Sequence, residues 1–108
     1  MAVLVDTSVW VDFLNGQDSL ETHWLRGAIA EALPVVVPAA PPLADEDYRG
    51  AARLYRDCRS KGVTIASTVD CLIAQLAIRH RLLLLTRDRG FQSVARVAPL
   101  RLLQPPAH

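Results

Sequence analysis

The chain of 108 residues has little cysteine, no long apolar run, no internal repeat and no low-complexity tract. Its two cysteines, Cys58 and Cys71, form no Cys-x-x-Cys pair and no ligand pattern with the three histidines. That spacing speaks against a disulfide framework and reads as reduced, partly buried thiols in a cytoplasmic protein. Apolar runs such as Leu82–Leu85 fall far short of the roughly 20 residues that a membrane span needs. The first residues carry no basic cluster and no cleavage site, so Ala2–Val5 reads as a buried strand rather than a secretory leader. What is present is 51% apolar and 21% charged, the balance of a soluble globular domain. A chain of this length forms one domain and buries roughly two thirds of its unfolded surface.

A net charge of +1 conceals an uneven distribution. Residues 1–58 hold nine acids against Arg26, Arg49, Arg53 and Arg56, whereas residues 59–108 hold eight basic residues and only two acids, Asp70 and Asp88. An arginine-rich half suits a polyanion such as nucleic acid; a solvated basic face is the alternative.

Apolar runs alternate with helical periodicity, which predicts an α/β fold with a parallel sheet flanked by helices. A strand over Ala2–Asp6 leads to a helix over about Ser8–Leu14, closed by Asn15 and Gly16. Asp18 and Glu21 have the spacing of a capping pair for a second helix, with Leu20, Trp24, Leu25, Ala28 and Ile29 as its apolar stripe and Pro34 as its stop. Val35–Val37 reads as a strand, followed by the proline-rich loop around Pro38, Pro41 and Pro42. A helix over Asp45–Ser60 is expected to bury Tyr48, Ala52, Tyr55 and Cys58, with Gly62 as its stop. Val63–Ala66 reads as a short strand. Ser67 and Asp70 have the spacing of a capping box for a helix running to about His80 on Leu72, Ile73, Leu76 and Ala77. His80, at that helix C-terminus, complements the dipole. Leu82–Thr86 reads as a buried strand, Phe91–Ala95 as a turn or short helix, and Val97–Leu102 as a last strand. Trp10, Phe13 and Trp24 are expected in the core.

Three carboxylates then fall at equivalent places: Asp6 at the end of the first strand, Asp88 just past the Leu82–Thr86 strand, and Asp70 in the first turn of a helix. In an open parallel sheet the C-terminal strand ends and the following helix N-termini form one edge, where ligands bind. Acids gathered there repel one another, and a hard cation such as Mg²⁺ or Mn²⁺ relieves them through oxygen ligands and water. Thr7, Ser8 and Thr86 add hydroxyls that orient those groups. Arg87 and Arg89 flank Asp88 and are candidates for an RNA phosphate, or are merely solvated. Each acid also has a local reading: Asp6 as an N-cap, Asp70 as the partner of Ser67, Asp88 as a turn former. Taken together, their placement favours a metal site.

The blocks "VLVDTSVWVDFL", "GVTIASTVDCLIAQLA" and "LLLLTRDRGFQSVA", in that order, resemble those of PIN-domain proteins, most closely the VapC toxins of bacterial toxin–antitoxin pairs. "ADEDYRGAARLYRDCRSKG" resembles the helix before the middle block. The resemblance covers residues 2–33 and 43 to about 100. It implies a single PIN-like domain over 1–103 with a tail at 104–108. It also implies a Mg²⁺-dependent endoribonuclease in which Asp6, Asp70 and Asp88 bind metal, a cognate antitoxin, and a homodimer. Two departures stand out. The glutamate that the family carries in a Glu-Leu-x-x-Gly block has no counterpart here, and residues 34–43 look shortened by about two helices. The position of a second acid after the last motif is Gly90. The lost glutamate motivates a second reading, a shortened toxin acting only as an antitoxin-binding or self-associating module. A phosphatase with an aspartyl nucleophile is a third reading, weakened by Ser8 where such enzymes want an acid.

Overall fold

The computed structural model describes residues 2–36 and 44–105. Three-residue strands, β1 (Val3–Val5) and β3 (Leu83–Leu85), form the centre of the sheet, and the two-residue strands β2 (Val35–Val36) and β4 (Arg101–Leu102) flank them. The order is β2-β1-β3-β4 and every pairing is parallel, with Val3 opposite Val35, Val5 opposite Leu85 and Leu84 opposite Leu102. Between the strands run helices α1 (Thr7–Leu14), α2 (Leu20–Ala30), α3 (Asp45–Ser60), α4 (Thr68–Arg79) and α5 (Gly90–Val97). The α/β fold with a parallel sheet is thus the one expected.

Strand side chains alternate between faces, so one sheet feeds two cores. Leu4 and Leu84 enter a cluster with Ala51, Leu54, Ile73, Leu76, Phe91 and Val94 from α3, α4 and α5. Val3, Val5 and Leu85 enter a second with Val9 and Leu25 from α1 and α2, against which Trp10, Phe13 and Trp24 pack. Trp10 meets Phe13 edge-on at 6.2 Å, and the Arg26 guanidinium lies 5.7 Å from the Phe13 ring centre.

Several local readings need correction. Val63–Ala66 forms no strand: β3 lies directly beside β1, and Ile65 is buried by its side chain without joining a ladder. The last strand is only Arg101–Leu102, because α5 runs on to Val97. Ser19, not Asp18, caps α2. Its hydroxyl accepts from the Thr22 amide at 3.1 Å, and Thr22 Oγ1 accepts from the Ser19 amide at 2.9 Å. Leu20 and Ile29 of the expected α2 stripe are exposed. On α3 the buried face is Asp47, Gly50, Ala51, Leu54 and Cys58, while Tyr48 and Ala52 are exposed and Tyr55 is half-buried. The face turns because α4 packs there. Gly50 leaves room for the Gln75 side chain, and Asp47 is held from α4 by Arg79 at 2.6 Å. Both cysteines are free and buried, as expected. The proline-rich stretch from Val37 to Leu43, and most of the expected shortening, lie outside the described residues.

Candidate metal centre

Asp6 leaves β1 in extended conformation (φ −63°, ψ 151°) and caps α1. It is buried, yet its carboxylate is well supplied with donors. Oδ1 accepts from the Thr7 amide at 2.9 Å, and Oδ2 accepts from the hydroxyls of Ser8 and Thr86, each at 2.8 Å. The bond from Thr86 joins residues 80 positions apart and ties the ends of β1 and β3 together. Thr86 Oγ1 in turn accepts from the Asp88 amide at 3.0 Å, and Asp88 Oδ1 accepts from the Gly90 amide at 2.8 Å. A Cβ on Gly90 would stand 3.1 Å from that oxygen, so the absent side chain leaves the Asp88 carboxylate room. Asp70 is half-buried in the first turn of α4, its amide donating to the Ser67 hydroxyl at 3.1 Å.

Asp6 and Asp88 therefore perform their local tasks as cap and turn former, whereas Asp70 meets the Ser67 cap through its amide and the expected capping box does not form. The three also sense one another. Burial pushes the Asp70 carboxyl up, the Ser67 hydrogen bond draws it back, and the negative charges of Asp88 and Asp6 push it up again; the net direction is upward. Asp70 and Asp88 line one small cavity of about 50 Å³ with Ile65 and Ala66.

Of the expected hydroxyls, Ser8 and Thr86 hold Asp6, while Thr7 does so through its amide and is itself exposed. Arg87 is engaged in an ion pair with Asp12 of α1, and Arg89 is exposed at the start of α5. One acid near the site carried no such expectation. Glu21 of α2 lines a cavity of about 220 Å³ together with Thr86, Arg87 and Asp88. In the sequence it resembles a capping residue, and only the packing of α2 against the sheet reveals where it stands.

The donor set is entirely oxygen, carboxylate and hydroxyl, which suits Mg²⁺ or Mn²⁺. A carboxylate offers about four acceptor positions, so Asp6 with three bonds retains one. Among the described residues no three His, Cys, Asp or Glu side chains close into a ready-made cluster. An ion held by few protein oxygens and several waters fits that openness, since Mg²⁺ sheds water reluctantly.

Comparison with known proteins bears directly on this edge. The PIN domain family matches residues 39–97, more than half of the chain. The chain belongs to the PIN-domain family. Asp70 and Asp88 lie inside the matched stretch and Asp6 before it. A VapC ribonuclease of Mycobacterium bovis and the ribonuclease VapC11 of Mycobacterium tuberculosis are each 30% identical to the chain over 128 aligned positions, covering 92% of this chain and 96% of the relative. Since 92% of 108 residues is about 99, roughly 29 positions of these PIN-domain relatives have no counterpart here.

Proposed function

We propose that this PIN-domain chain is a divalent-metal-dependent endoribonuclease, the toxin of a cytoplasmic toxin–antitoxin pair. Asp6, Asp70 and Asp88 would hold Mg²⁺ or Mn²⁺. One observation carries the reading. Asp6 and Asp88 follow the C-terminal ends of two paired parallel strands, Asp70 and Asp88 line one cavity, and the Asp70 carboxyl is raised first by burial and then by the charges of Asp88 and Asp6. That the similar proteins are named VapC ribonucleases supports RNA as the substrate. A bound divalent ion would acidify a water and offset charge building on the phosphoryl oxygens. The protein's own part is positioning. Ser8 and Thr86 fix the Asp6 carboxylate, and Thr86 couples it to the Asp88 backbone. Arg89, exposed beside Asp88, is free to meet a phosphate, whereas Arg87 must first leave Asp12.

The unmatched positions support a shortened PIN domain over 1–103, with the loss around 34–43 and the family's glutamate gone with it. A cognate antitoxin covering the site and a homodimer complete the proposal; both rest on membership of the family. No helix among the described residues is long and apolar enough to cross a membrane.

The test uses purified protein and a labelled single-stranded RNA. Cleavage is expected with Mg²⁺ or Mn²⁺ and not with EDTA. Asp88→Asn should slow it by roughly a hundredfold or more, the scale on which loss of a transition-state stabiliser is felt. Unchanged cleavage in Asp88→Asn, with the fold intact by circular dichroism, sinks the assignment. A native chain that binds an antitoxin but never cleaves RNA supports the interaction-module reading instead.

A further inference from the structure

Beside the acidic edge lies a third, larger cavity of about 490 Å³, between α3 and the N-terminus of α4. Its walls include Tyr48, Tyr55 and Arg56 on one side and the Ser67 and Thr68 segment on the other. Ile65 and Ala66 line both this cavity and the smaller one that holds Asp70 and Asp88, so the two are neighbours across a shared wall. Its volume falls within the range of small-molecule pockets.

The rim has a pattern of its own. Tyr48 is 53% exposed, an unusual position for a large ring with apolar faces. Tyr55 accepts a hydrogen bond from Arg59 at 3.2 Å and so presents its ring at a fixed angle. Arg49, Arg53 and Arg56 follow at spacings of four and three, which places them on one exposed face of α3. Asp45 and Asp57 share that helix, but among the described residues no ion pair joins either to these arginines. Aromatic rings beside a row of unpaired cations form the combination that binds single-stranded nucleic acid: bases stack on rings and phosphates follow the charge.

We propose that this cavity seats an unpaired nucleobase of the RNA strand, stacked on Tyr48, with Arg49, Arg53 and Arg56 along the neighbouring phosphates. The assignment of RNA rests on the nuclease reading above, while the groove itself rests on residues outside the acidic trio. Ser67 and Thr68 hydroxyls at the far wall supply polar contacts to the base edge, and the shared wall delivers the adjoining phosphodiester toward Asp70 and Asp88.

Binding of a fluorescent single-stranded RNA to the full chain in EDTA isolates binding from cleavage. Tyr48→Ala is expected to weaken binding by about tenfold, with Tyr48→Phe retaining it. The double change Arg53→Gln and Arg56→Gln is expected to lower the slope of log affinity against log salt by about 1.4, since each phosphate contact on a single strand contributes about 0.7. All three positions are on the surface, so thermal stability serves as the control for folding. Unchanged affinity and slope overturn the proposal, as does a native chain that binds no RNA. A variant that alters only the oligomeric state, measured by light scattering, also overturns it and assigns the groove to a second copy. Groove-dependent RNA binding without metal-dependent cleavage leaves this site standing and removes the nuclease reading; cleavage with no dependence on Tyr48 or the arginines does the reverse.

Discussion

Asp47 is the most deeply buried acid among the described residues, and two partners on one of its oxygens explain its position. Its Oδ2 accepts from the Ala44 amide at 2.9 Å and from Arg79 at 2.6 Å, while Oδ1 is buried with no partner. Arg79 also reaches Glu46 at 2.6 Å, clamping the end of α4 to the start of α3. Burial pushes the Asp47 carboxyl up, but the Ala44 amide, the Arg79 guanidinium and the charge of His80 outweigh it and hold the group below its ordinary value near 3.8. Removing the cation by Arg79→Met should therefore destabilise the fold by about 2–3 kcal/mol, less than a fully buried pair because Arg79 remains one-third exposed. Urea unfolding at pH 7 measures this. With a folded pKa below the unfolded one, the stabilisation is complete above the ordinary value and is lost as pH falls through it toward the folded pKa. Acidification below about pH 4 is thus expected to destabilise the native chain more than Asp47→Asn. Asp6→Asn, by contrast, keeps the shape and, with its one oxygen toward Ser8 and Thr86, both of those bonds, giving up only the cap to the Thr7 amide. Its expected signature is lost RNA cleavage with the fold retained.

Among the elements, α1 to α4 each end with a residue in the left-handed region, but only two use glycine for it. Gly16 and Gly62 sit at φ +72° and +83°, whereas Ala32 and Arg81 adopt φ +54°. The Leu33 amide reaches the Ala28 carbonyl at 2.9 Å and the Leu82 amide the Ala77 carbonyl at 2.8 Å, the reverse bonds that close such helices. A Cβ in that conformation is strained by roughly 1 kcal/mol, so Arg81→Gly should stabilise the protein by about 0.5–1 kcal/mol, visible as a raised melting temperature. At the start of α2 the reciprocal bonds between Ser19 and Thr22 predict a loss of about 1 kcal/mol for Ser19→Ala, without effect on RNA cleavage. The glycine stops after α1 and α3 were readable in advance. Those of α2 and α4 were not, because an alanine and an arginine carry no left-handed signal and stand there beside the closing amide bonds of Leu33 and Leu82.

At the scale of the whole molecule, the acidic edge sets charge against stability. The Asp70 carboxyl is held above its ordinary value, first by burial and then by the charges of Asp88 and Asp6. A raised carboxylate gives most stability below its unfolded pKa and loses it as pH rises through the folded value. At pH 7 in EDTA, Asp70→Asn is therefore expected to melt above the native chain. Adding Mg²⁺ should raise the native melting temperature and leave Asp70→Asn less affected, since an ion that binds only the folded state stabilises it by mass action. Identical curves for the two proteins, with and without Mg²⁺, speak against a shared ion.

Strand polarity, helix periodicity and the placing of acids after strands were all local patterns, and they determined the α/β class, most helix positions and the places of Asp6 and Asp88 after β1 and β3, whereas Asp70 follows no strand. Tertiary packing decided which side of α3 faces inward. Arg79 draws Asp47 into the core and turns Tyr48 out, an outcome that a count of apolar residues reverses. It also decided that Val63–Ala66 stays out of the sheet, that Glu21 stands near Asp88, and that Thr86 bonds Asp6 across 80 residues. Such contacts join distant parts of the chain, so no window of neighbouring residues contains them.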